Sequence, residues 1–363
     1  MKAFVPSRVL ITGGREIGGV ASFAEALRAG FSELGIYAEV IPPGRIIKRW
    51  KDLRDPEILK ILSTTAVFAA PFARRAICMA HGFPCIAHVG LRRAMAILAS
   101  LRMATVSRGA QLVAVSDYSA LELRVVFGLR VDAVIRNPLH PLFLEPRPDV
   151  EPARKAITYA GRLVAAKNLH ILLPAILDVL DENPGLEAWI AGEGPLRSRL
   201  EEIARGDPRV NFLGVVPPRE VRDRLRRSCV FISGSPTEPF GIVYLEALSQ
   251  GCAVVMPASG GGLEIAPDEI GGRIQLFPAS LGRTEIAAAI RRALEIDPQA
   301  MKMPAYDARA VARNYLTIAA RFTRDGLFHG YRDPLQQGIS RARSAAASAG
   351  QFEAVSNAEG HQG

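Results

Sequence analysis

The segment VFISGSPTEPFGIVYLEALSQGCAVVM, residues 230–256, contains the pattern that decides the fold. It predicts a strand over Val230–Ser233, a helix over Gly241–Gln250 and a second strand over Ala253–Met256. Two short apolar strands joined through a helix are the unit from which parallel sheets are built. The segment therefore predicts an α/β fold, whose ligands bind beyond the carboxyl ends of the strands.

The chain on both sides of this segment repeats the alternation of short apolar runs and amphipathic stretches, which is typical of a parallel sheet covered by helices. In the second half it predicts strand Ala156–Ala160, helix Leu169–Asp181, strand Leu186–Ala191, helix Leu196–Ala204, strand Val210–Leu213, helix Arg219–Ser228, strand Arg273–Phe277, and helices Thr284–Ile296 and Ala308–Arg324. In the first half it predicts strand Arg8–Thr12, helix Gly19–Leu34, strand Tyr37–Ile41, helix Glu57–Leu62, strand Ala66–Ala69, helix Phe72–Met79, strand Cys85–Val89, helix Leu91–Met103, strand Gln111–Val115, helix Tyr118–Phe127 and strand Ala133–Ile135.

A proline-rich stretch separates the two halves, because prolines at 138, 141, 146, 148 and 152 interrupt both helix and sheet. The sequence thus predicts an α/β protein of two Rossmann-like, doubly wound domains that face each other across a cleft. The predicted divisions are an N-terminal domain over 1–136, a linker over 137–153, a C-terminal domain over 154–305, a helical segment over 306–332 and a disordered tail over 333–363.

Composition limits the classes of function. The 363 residues are 49% hydrophobic and 22% charged, as in a folded globular protein. No apolar run of about 18 residues predicts a membrane-spanning helix, and the N-terminus lacks the features of a signal peptide, so we expect a cytoplasmic protein. The net charge of +9 favours anionic small molecules or an anionic lipid surface. Aromatic residues are only 7% and no basic motif interleaves with them, so nucleic acid is not an expected partner.

Two carboxylates stand out around the first turns of the helix predicted at 241–250. Glu238 precedes this helix, and the helix dipole alone would account for a carboxylate there. Glu246 lies on an otherwise apolar helix, where a buried charge needs partners, and sugar or ribose hydroxyls would be such partners. Side chains lean back towards the helix N-terminus, so Glu246 can face the same ligand space as Glu238. Gly241 lets the backbone approach a ligand, and the free N–H groups of the first turn suit a diphosphate.

The spacing Glu-x7-Glu within EPFGIVYLEALSQG resembles the signature of the family-four retaining glycosyltransferases, which have the GT-B fold. Two further passages are similar to that family: YAGRLVAAKN at 159–168, and LVAVSDYS at 112–119 followed by VIRNP at 134–138. The resemblance implies an enzyme that transfers a sugar from a nucleotide-diphospho-sugar to an unidentified acceptor with retention of anomeric configuration.

The resemblance also implies roles for single residues. Arg162 and Lys167 would hold the diphosphate of the sugar donor, and their position after a predicted strand is suited to neutralising charge on the leaving group. Glu238 would hold hydroxyls of the transferred sugar, and Glu246 would hold the ribose.

Other residues expected at the sugar-donor site lie in a glycine-rich loop and at the end of a predicted strand. Gly18 and Gly19 would bring backbone to the diphosphate or the acceptor, and His88, which ends the strand predicted at Cys85–Val89, would lie over the sugar. The predicted catalytic residues are His88, Arg162, Lys167 and Glu238, and the predicted substrate-binding residues are Gly18, Gly19, Gly161, Phe240, Gly241, Ile242 and Glu246.

We expect neither a metal nor a cofactor, since there is no Asp-x-Asp and the nearest acidic pair, Asp149 and Glu151, falls in the proline-rich linker. The glycine-rich GGLE at 261–264, after Gly260, departs slightly from the family's Gly-Gly-x-x-Glu. The expected partners are the nucleotide-sugar donor and a sugar, lipid-linked or other small-molecule acceptor.

Three other functions stay open. Glycines at 13, 14, 18 and 19 after the first strand would also suit an NAD(P)-dependent oxidoreductase, although their spacing fits no dinucleotide fingerprint. A non-catalytic nucleotide-sugar-binding protein, or another chemistry on the GT-B fold, would keep the same architecture.

The helix predicted at Leu91–Met103 carries Arg92, Arg93 and Arg102, with Arg108 beyond it, around an apolar stretch. An amphipathic helix of this kind could lie on an anionic leaflet, and it could equally be an ordinary covering helix. Peripheral contact with the inner membrane face is therefore a further expectation.

Overall fold

The computed structural model describes residues 4–13, 19–82, 90–145, 155–265, 272–324 and 326–327. Two six-stranded sheets form within them, and every strand pair is parallel. The predicted fold class, two doubly wound α/β halves, is confirmed.

The first sheet has the order β2-β1-β3-β4-β5-β6. Its strands are β1 Arg8–Thr12, β2 Ala38–Ile41, β3 Ile58–Ser63, β4 Ala76–Ala80, β5 Ala110–Ala114 and β6 Ala133–Val134, and its helices are α1 Gly19–Glu33, α2 Trp50–Arg54, α3 Leu91–Val106 and α4 Asp117–Val125. Three 3-10 helices accompany them, at Pro43–Arg49, Thr64–Phe72 and Pro141–Leu144.

The second sheet has the order β12-β11-β10-β7-β8-β9. Its strands are β7 Ala156–Ala160, β8 Glu187–Ala191, β9 Val210–Gly214, β10 Ser228–Ile232, β11 Ala253–Pro257 and β12 Ile274–Phe277, and the helices are α5 Leu169–Glu182, α6 Arg197–Ala204, α7 Pro218–Arg226, α8 Ile242–Ser249, α9 Arg283–Leu294 and α10 Ala308–Ala319. The chain runs outwards from β7 to β9 and then returns to β10, so the carboxyl ends of β7 and β10 flank the switch point where such sheets bind ligands.

Three predicted elements of the first half are wrong. The helix predicted at Glu57–Leu62 is strand β3, and the helix predicted at Phe72–Met79 gives way to strand β4. Between them, the strand predicted at Ala66–Ala69 is part of the 3-10 helix Thr64–Phe72. Both strands are buried on both faces, so neither the apolar run of β4 nor β3, which contains Lys60, shows the two-residue period of a half-buried strand.

The remaining predicted elements within the described residues are confirmed to within a few residues, including β7 at its predicted bounds. The 3-10 helix Pro43–Arg49 and α2 were not predicted. The strand predicted at Cys85–Val89 and the tail predicted at 333–363 lie outside the described residues. The predicted domain boundaries stay predictions.

The last helix, α10, packs on the first half of the chain. A Cβ atom at Gly30 in α1 would lie 2.0 Å from the carbonyl oxygen of Ala308, so the two helices touch backbone to backbone. The guanidinium of Arg75 donates to the carbonyls of Ala319 at 2.9 Å and Thr323 at 2.8 Å. The C-terminal helical segment therefore ties back to the first sheet after the second sheet is complete.

Candidate functional site

The loops after β7 and β10 meet at the carboxyl edge of the second sheet. Asn168 adopts a left-handed conformation with φ of 51° and donates its side-chain amide to the carbonyl of Gly234 at 2.9 Å. A Cβ atom at Gly234 would lie 3.0 Å from the carbonyl oxygen of Lys167, so a larger residue would push the loops apart. This contact brings the two predicted donor-site loops together.

Lys167 and Glu238 form an ion pair across these loops. The Lys167 Nζ atom lies 2.5 Å from Oε2 of Glu238, and their side chains are 27% and 19% exposed. Both groups therefore reach solvent at the carboxyl edge. A predicted diphosphate-binding cation and a predicted sugar-binding carboxylate are thus direct neighbours, each neutralising the other.

Glu246 lies on α8 with 8% of its surface exposed. Burial raises the pKa of its carboxyl group to about 8. Among the residues that the structure describes, its carboxyl oxygens have no hydrogen-bond or ion-pair partner. A buried carboxyl group without partners is costly, so it is a candidate for binding a ligand that brings hydrogen-bond donors.

The start of α8 is tightly built. Gly241 has φ of 84°, and a Cβ atom there would lie 2.3 Å from the ring of Tyr244. The Tyr244 hydroxyl donates to Ser233 Oγ at 3.0 Å, which fixes the ring beneath the turn. Phe240 is 2% exposed, and its ring packs 5.9 Å from that of Tyr306. The Phe240 side chain therefore belongs to the core, which leaves its backbone for contact with a ligand.

The remaining predicted residues are placed as follows. Arg162 is exposed directly after β7, and Gly161 before it accepts little substitution, since a Cβ atom there would lie 3.1 Å from the Tyr159 hydroxyl. Gly19 opens α1, and a Cβ atom there would lie 4.0 Å from Ile242 Cγ2, so Gly19 faces the start of α8. Gly18 and His88 lie outside the described residues.

A histidine that sequence reasoning did not select follows β4. His81 lies directly after this strand, packs edge-on against the ring of Phe23 at 4.8 Å, and has a buried Nε2 without a partner among the described residues. Burial lowers its pKa to about 4, so the ring is neutral at pH 7. The following Gly82 approaches the loop that carries Glu238, since a Cβ atom there would lie 2.3 Å from Pro239 Cγ. The apolar run at 76–80 ending in His-Gly was the signal for this position.

Two further properties concern the described residues alone. No group of three or more His, Cys, Asp or Glu side chains is arranged there to hold a metal ion. None of the helices described is both long and apolar enough to cross a membrane.

Two parallel sheets thus carry, at the carboxyl edge of the second, a cation paired with a carboxylate and a buried carboxyl group that no described residue partners. Residues 154–295 match the family model described as glycosyl transferases group 1. This part of the chain is therefore similar to the group 1 glycosyl transferases, which supports the resemblance found in the sequence.

Curated relatives support the same assignment over part of the chain. The sulfoquinovosyl transferase SQD2 of Arabidopsis thaliana is 32% identical over 123 residues, which cover 34% of this chain and 23% of the relative. The glycogen synthase of Mycobacterium tuberculosis is 32% identical over 188 residues, covering 50% of this chain and 44% of the relative. The chain thus spans less than half the length of these relatives.

Solved structures share the fold over most of the chain. Anabaena Alr3699/HepE in complex with UDP and glucose superposes with a TM-score of 0.62 at 19% identity, covering 93% of this chain and 99% of that one. The catalytic domain of starch synthase IV from Arabidopsis thaliana, bound to ADP and acarbose, gives a TM-score of 0.62 at 12% identity, covering 87% and 100%. At these identities the likeness shows the fold, which is that of GT-B glycosyltransferases.

Proposed function

We propose that this protein transfers a glycosyl group from a nucleotide-diphospho-sugar to an acceptor, with retention of anomeric configuration. The observation that carries the proposal is the Lys167–Glu238 pair at the switch point of the second sheet, 2.5 Å between Nζ and Oε2. It lies within the residues that match the glycosyl transferase family. The UDP and ADP bound to the two structural neighbours support a nucleoside diphosphate as the leaving group.

The ion pair explains how binding and catalysis would be linked. A diphosphate bound beside Lys167 would pair with its ammonium group, and exposed Arg162 would be a second cation for the diphosphate. Glu238, no longer paired with Lys167, would then accept hydrogen bonds from sugar hydroxyls. Negative charge grows on the diphosphate as the glycosidic bond breaks. A cation already in place stabilises that charge without reorganisation.

The ribose would complete the site at Glu246. Two vicinal hydroxyl groups are hydrogen-bond donors, and the buried carboxyl group has no partner among the described residues. Such a ligand would satisfy it and favour its ionised form.

His81 is a second candidate for the histidine near the sugar. It follows a strand of the first sheet, is neutral at pH 7, and its neighbour Gly82 touches the Glu238 loop. The role expected for His88 stays a prediction, because that residue lies outside the described ones. His81→Ala and His88→Ala, compared for turnover at saturating sugar donor, would separate the two assignments.

The experiment for the activity compares two lysine–glutamate pairs of equal length at opposite ends of β7. UDP-, GDP- and ADP-sugars are first screened for thermal stabilisation, since a ligand that binds the folded state raises its apparent stability. With the stabilising sugar donor, Lys167→Ala should lower kcat by about 100-fold or more and change KM less. Lys155→Ala, which breaks the 2.5 Å pair with Glu187 at the amino end, is the matched control and should leave both unchanged.

Two outcomes would contradict this function. If no nucleotide sugar stabilises the protein or is turned over, the activity is wrong. If the nucleotide sugar binds but Lys167→Ala changes only KM, the lysine holds the ground state and has no role in departure of the leaving group.

We propose that transfer needs neither a metal nor another cofactor, because lysine and arginine side chains stand where the leaving diphosphate would develop charge. Activity should then persist in EDTA. Loss of transfer in EDTA that magnesium or manganese restores would refute it.

We also propose that the cytoplasmic protein contacts an anionic inner membrane face through α3. The outward face of this helix exposes Leu91, Met95, Met103 and Val106 at 62%, 55%, 41% and 75%, while its buried face carries Ala94, Leu101 and Ala104. Four large apolar side chains thus point outwards. No acidic residue occurs between 91 and 108, and Arg92, Arg102 and Arg108 are exposed. An apolar stripe edged with arginine suits the headgroup region of a bilayer.

Flotation with vesicles rich in anionic phospholipid tests this contact at low salt. The wild type should float, and Met95→Glu with Val106→Glu should reduce the bound fraction several-fold. Val215→Glu, at a site 60% exposed in the second half, is the control and should float normally. Wild-type protein that stays unbound refutes the membrane contact and favours a soluble acceptor.

A further inference from the structure

The first turn of α4 in the first half is completed by a residue from the second half. Ser116 caps the helix by accepting the backbone N–H of Ser119 at 2.9 Å, and its carbonyl accepts the N–H of Ala120 at 2.9 Å. The N–H groups of Asp117 and Tyr118 have no partner within the helix, as expected for the first residues of any helix.

Glu264 supplies both missing partners. Its carboxylate accepts the N–H of Asp117 at 3.0 Å and that of Tyr118 at 2.6 Å. The residue belongs to the 3-10 helix Gly261–Ile265, which follows β11 of the second sheet. The Arg136 guanidinium lies 3.5 Å from the same carboxylate. Every N–H group of the first turn of α4 is therefore paired only when the two halves are together.

The same helix end also holds the loop that carries Glu238. The carbonyl of Pro239 accepts the hydroxyl of Ser116 at 2.5 Å and that of Ser119 at 3.2 Å, and both serines are fully buried. The carbonyl of Glu238 accepts the N–H of Gly261 at 2.8 Å, which links this loop to the Glu264 turn.

The backbone packs so closely around Pro239 that only glycine fits at two neighbouring positions. A Cβ atom at Gly261 would lie 2.0 Å from the Pro239 carbonyl oxygen, and one at Gly82 would lie 2.3 Å from the Pro239 ring. Glycines from both halves therefore enclose Pro239, and separation of the halves would break the contacts that Ser116, Ser119 and Gly82 make with it.

We propose that the first turn of α4 is a latch between the two halves, in which Glu264 and Ser116 are positioning residues that hold Glu238 at the carboxyl edge of the second sheet. Opening the latch leaves two helix N–H groups and the Pro239 carbonyl without their protein partners. Closure and occupation of the sugar-donor site then favour each other, because each holds the Glu238 loop in the same place. The catalytic consequence rests on the proposed function, whereas the latch itself does not.

Hydrogen exchange measures the latch directly. In Glu264→Ala, the amides of Asp117 and Tyr118 should exchange at least tenfold faster than in the wild type, while the amides of the β4 and β5 strands keep their protection. Asp117→Asn is the matched control, since its side chain is 72% exposed at the same helix end and, among the described residues, pairs with Arg136 of the first half at 3.5 Å. It should leave the exchange of Tyr118 unchanged. Glu264→Gln keeps the size of the side chain and should give an intermediate rate, which keeps the test valid if the alanine variant folds poorly.

Nucleotide binding then tests positioning. With UDP, GDP and ADP each titrated, Glu264→Ala should weaken the binding of whichever the wild type binds by about tenfold, and saturating nucleotide should slow exchange at Tyr118 in the wild type. Exchange that is unchanged in both Glu264 variants would overturn the latch, whatever the activity. Faster exchange with unaltered nucleotide affinity would overturn positioning of the site. A wild type that binds no nucleotide but shows the exchange effect would refute the proposed function and leave the latch standing.

Discussion

Lys60 in the first sheet and Glu246 in the second half are both buried charged residues, and they differ in what surrounds the charge. Lys60 is 0% exposed on β3, and its ammonium group donates to the carbonyl of Asp55 and to that of Arg74, the latter at 2.6 Å. Glu246 is 8% exposed on α8, and the described residues give its carboxyl group no partner. Burial moves both pKa values towards neutrality, to about 7 for Lys60 and to about 8 for Glu246.

The difference separates a residue that completes the fold from one to which we assign a ligand. The chain itself supplies the partners of Lys60, so removing the lysine strands carbonyl groups inside the protein. The residues that the structure describes supply none for Glu246, so removing its charge should relieve a cost of folding and weaken only the binding that we propose there. The position of each residue agrees, because Lys60 lies in a central strand and Glu246 lies on the helix that follows the Glu238 loop.

Lys60→Met should have the largest effect on folding. Two carbonyl groups lose their hydrogen-bond donor, at ~1–3 kcal/mol each, so the free energy of unfolding should fall by about 3 kcal/mol. Urea denaturation measures this, with Lys48→Met at an exposed position as the control, where a change within about 0.5 kcal/mol is expected.

The pH dependence sharpens the same prediction. Because the pKa of Lys60 is lowered from 10.5 to about 7 in the folded protein, the unfolded chain binds more protons between those values. Wild-type stability should therefore rise with pH across this window relative to Lys60→Met. A Lys60→Met variant as stable as the wild type would show that the buried ammonium group contributes nothing to stability. The contrast between Lys60 and Glu246 would then be wrong for Lys60.

The sequence predicted the second half better than the first for a physical reason. Strand β7 and the 230–256 segment are bounded by glycine, proline and polar residues, which mark where each element ends. Strands β3 and β4 are buried on both faces, so neither has the two-residue period that marks a half-buried strand. That error in β4 also hid His81, which follows the strand.

Part of the site lay beyond prediction from sequence. Lys167 and Glu238 both follow predicted strands, but their pairing depends on β10 returning to lie beside β7, which is a property of sheet order. The sequence shows Glu264 only as part of a glycine-rich loop. Its bonds to Asp117 and Tyr118 cross from one sheet to the other, and no local pattern records them.

Glu246→Gln should have the next largest effect, on binding alone. Losing the charge-assisted hydrogen bonds to a ribose should weaken the affinity for the nucleotide-sugar donor by about 10- to 100-fold, the equivalent of ~1.5–3 kcal/mol. The fold should be as stable as the wild type or more so at pH 8. Titration calorimetry and urea denaturation measure the two quantities, with exposed Glu202→Gln as the control. Unchanged affinity would remove Glu246 from the site.

The smallest expected effect is on the pH dependence of the affinity for the nucleotide-sugar donor. It tests directly whether the buried carboxyl group of Glu246 binds the ligand. With a pKa of about 8, the carboxyl group is mainly protonated in the free protein at pH 6. Ribose hydroxyls that donate to it favour the ionised form, so its pKa falls in the complex and binding releases a proton. Affinity should therefore rise by about tenfold from pH 6 to pH 8 and level off above. His81 does not contribute, since its pKa of about 4 lies below this range.

The ligand should be an intact nucleotide sugar, because the terminal phosphate of a free nucleoside diphosphate titrates in the same range as the protein. Calorimetry in two buffers of different ionisation enthalpy counts the released proton, and Glu246→Gln should release none. If the variant keeps the wild-type pH profile, another group takes up the proton, and the unpartnered carboxyl group is a feature of the core with no part in binding.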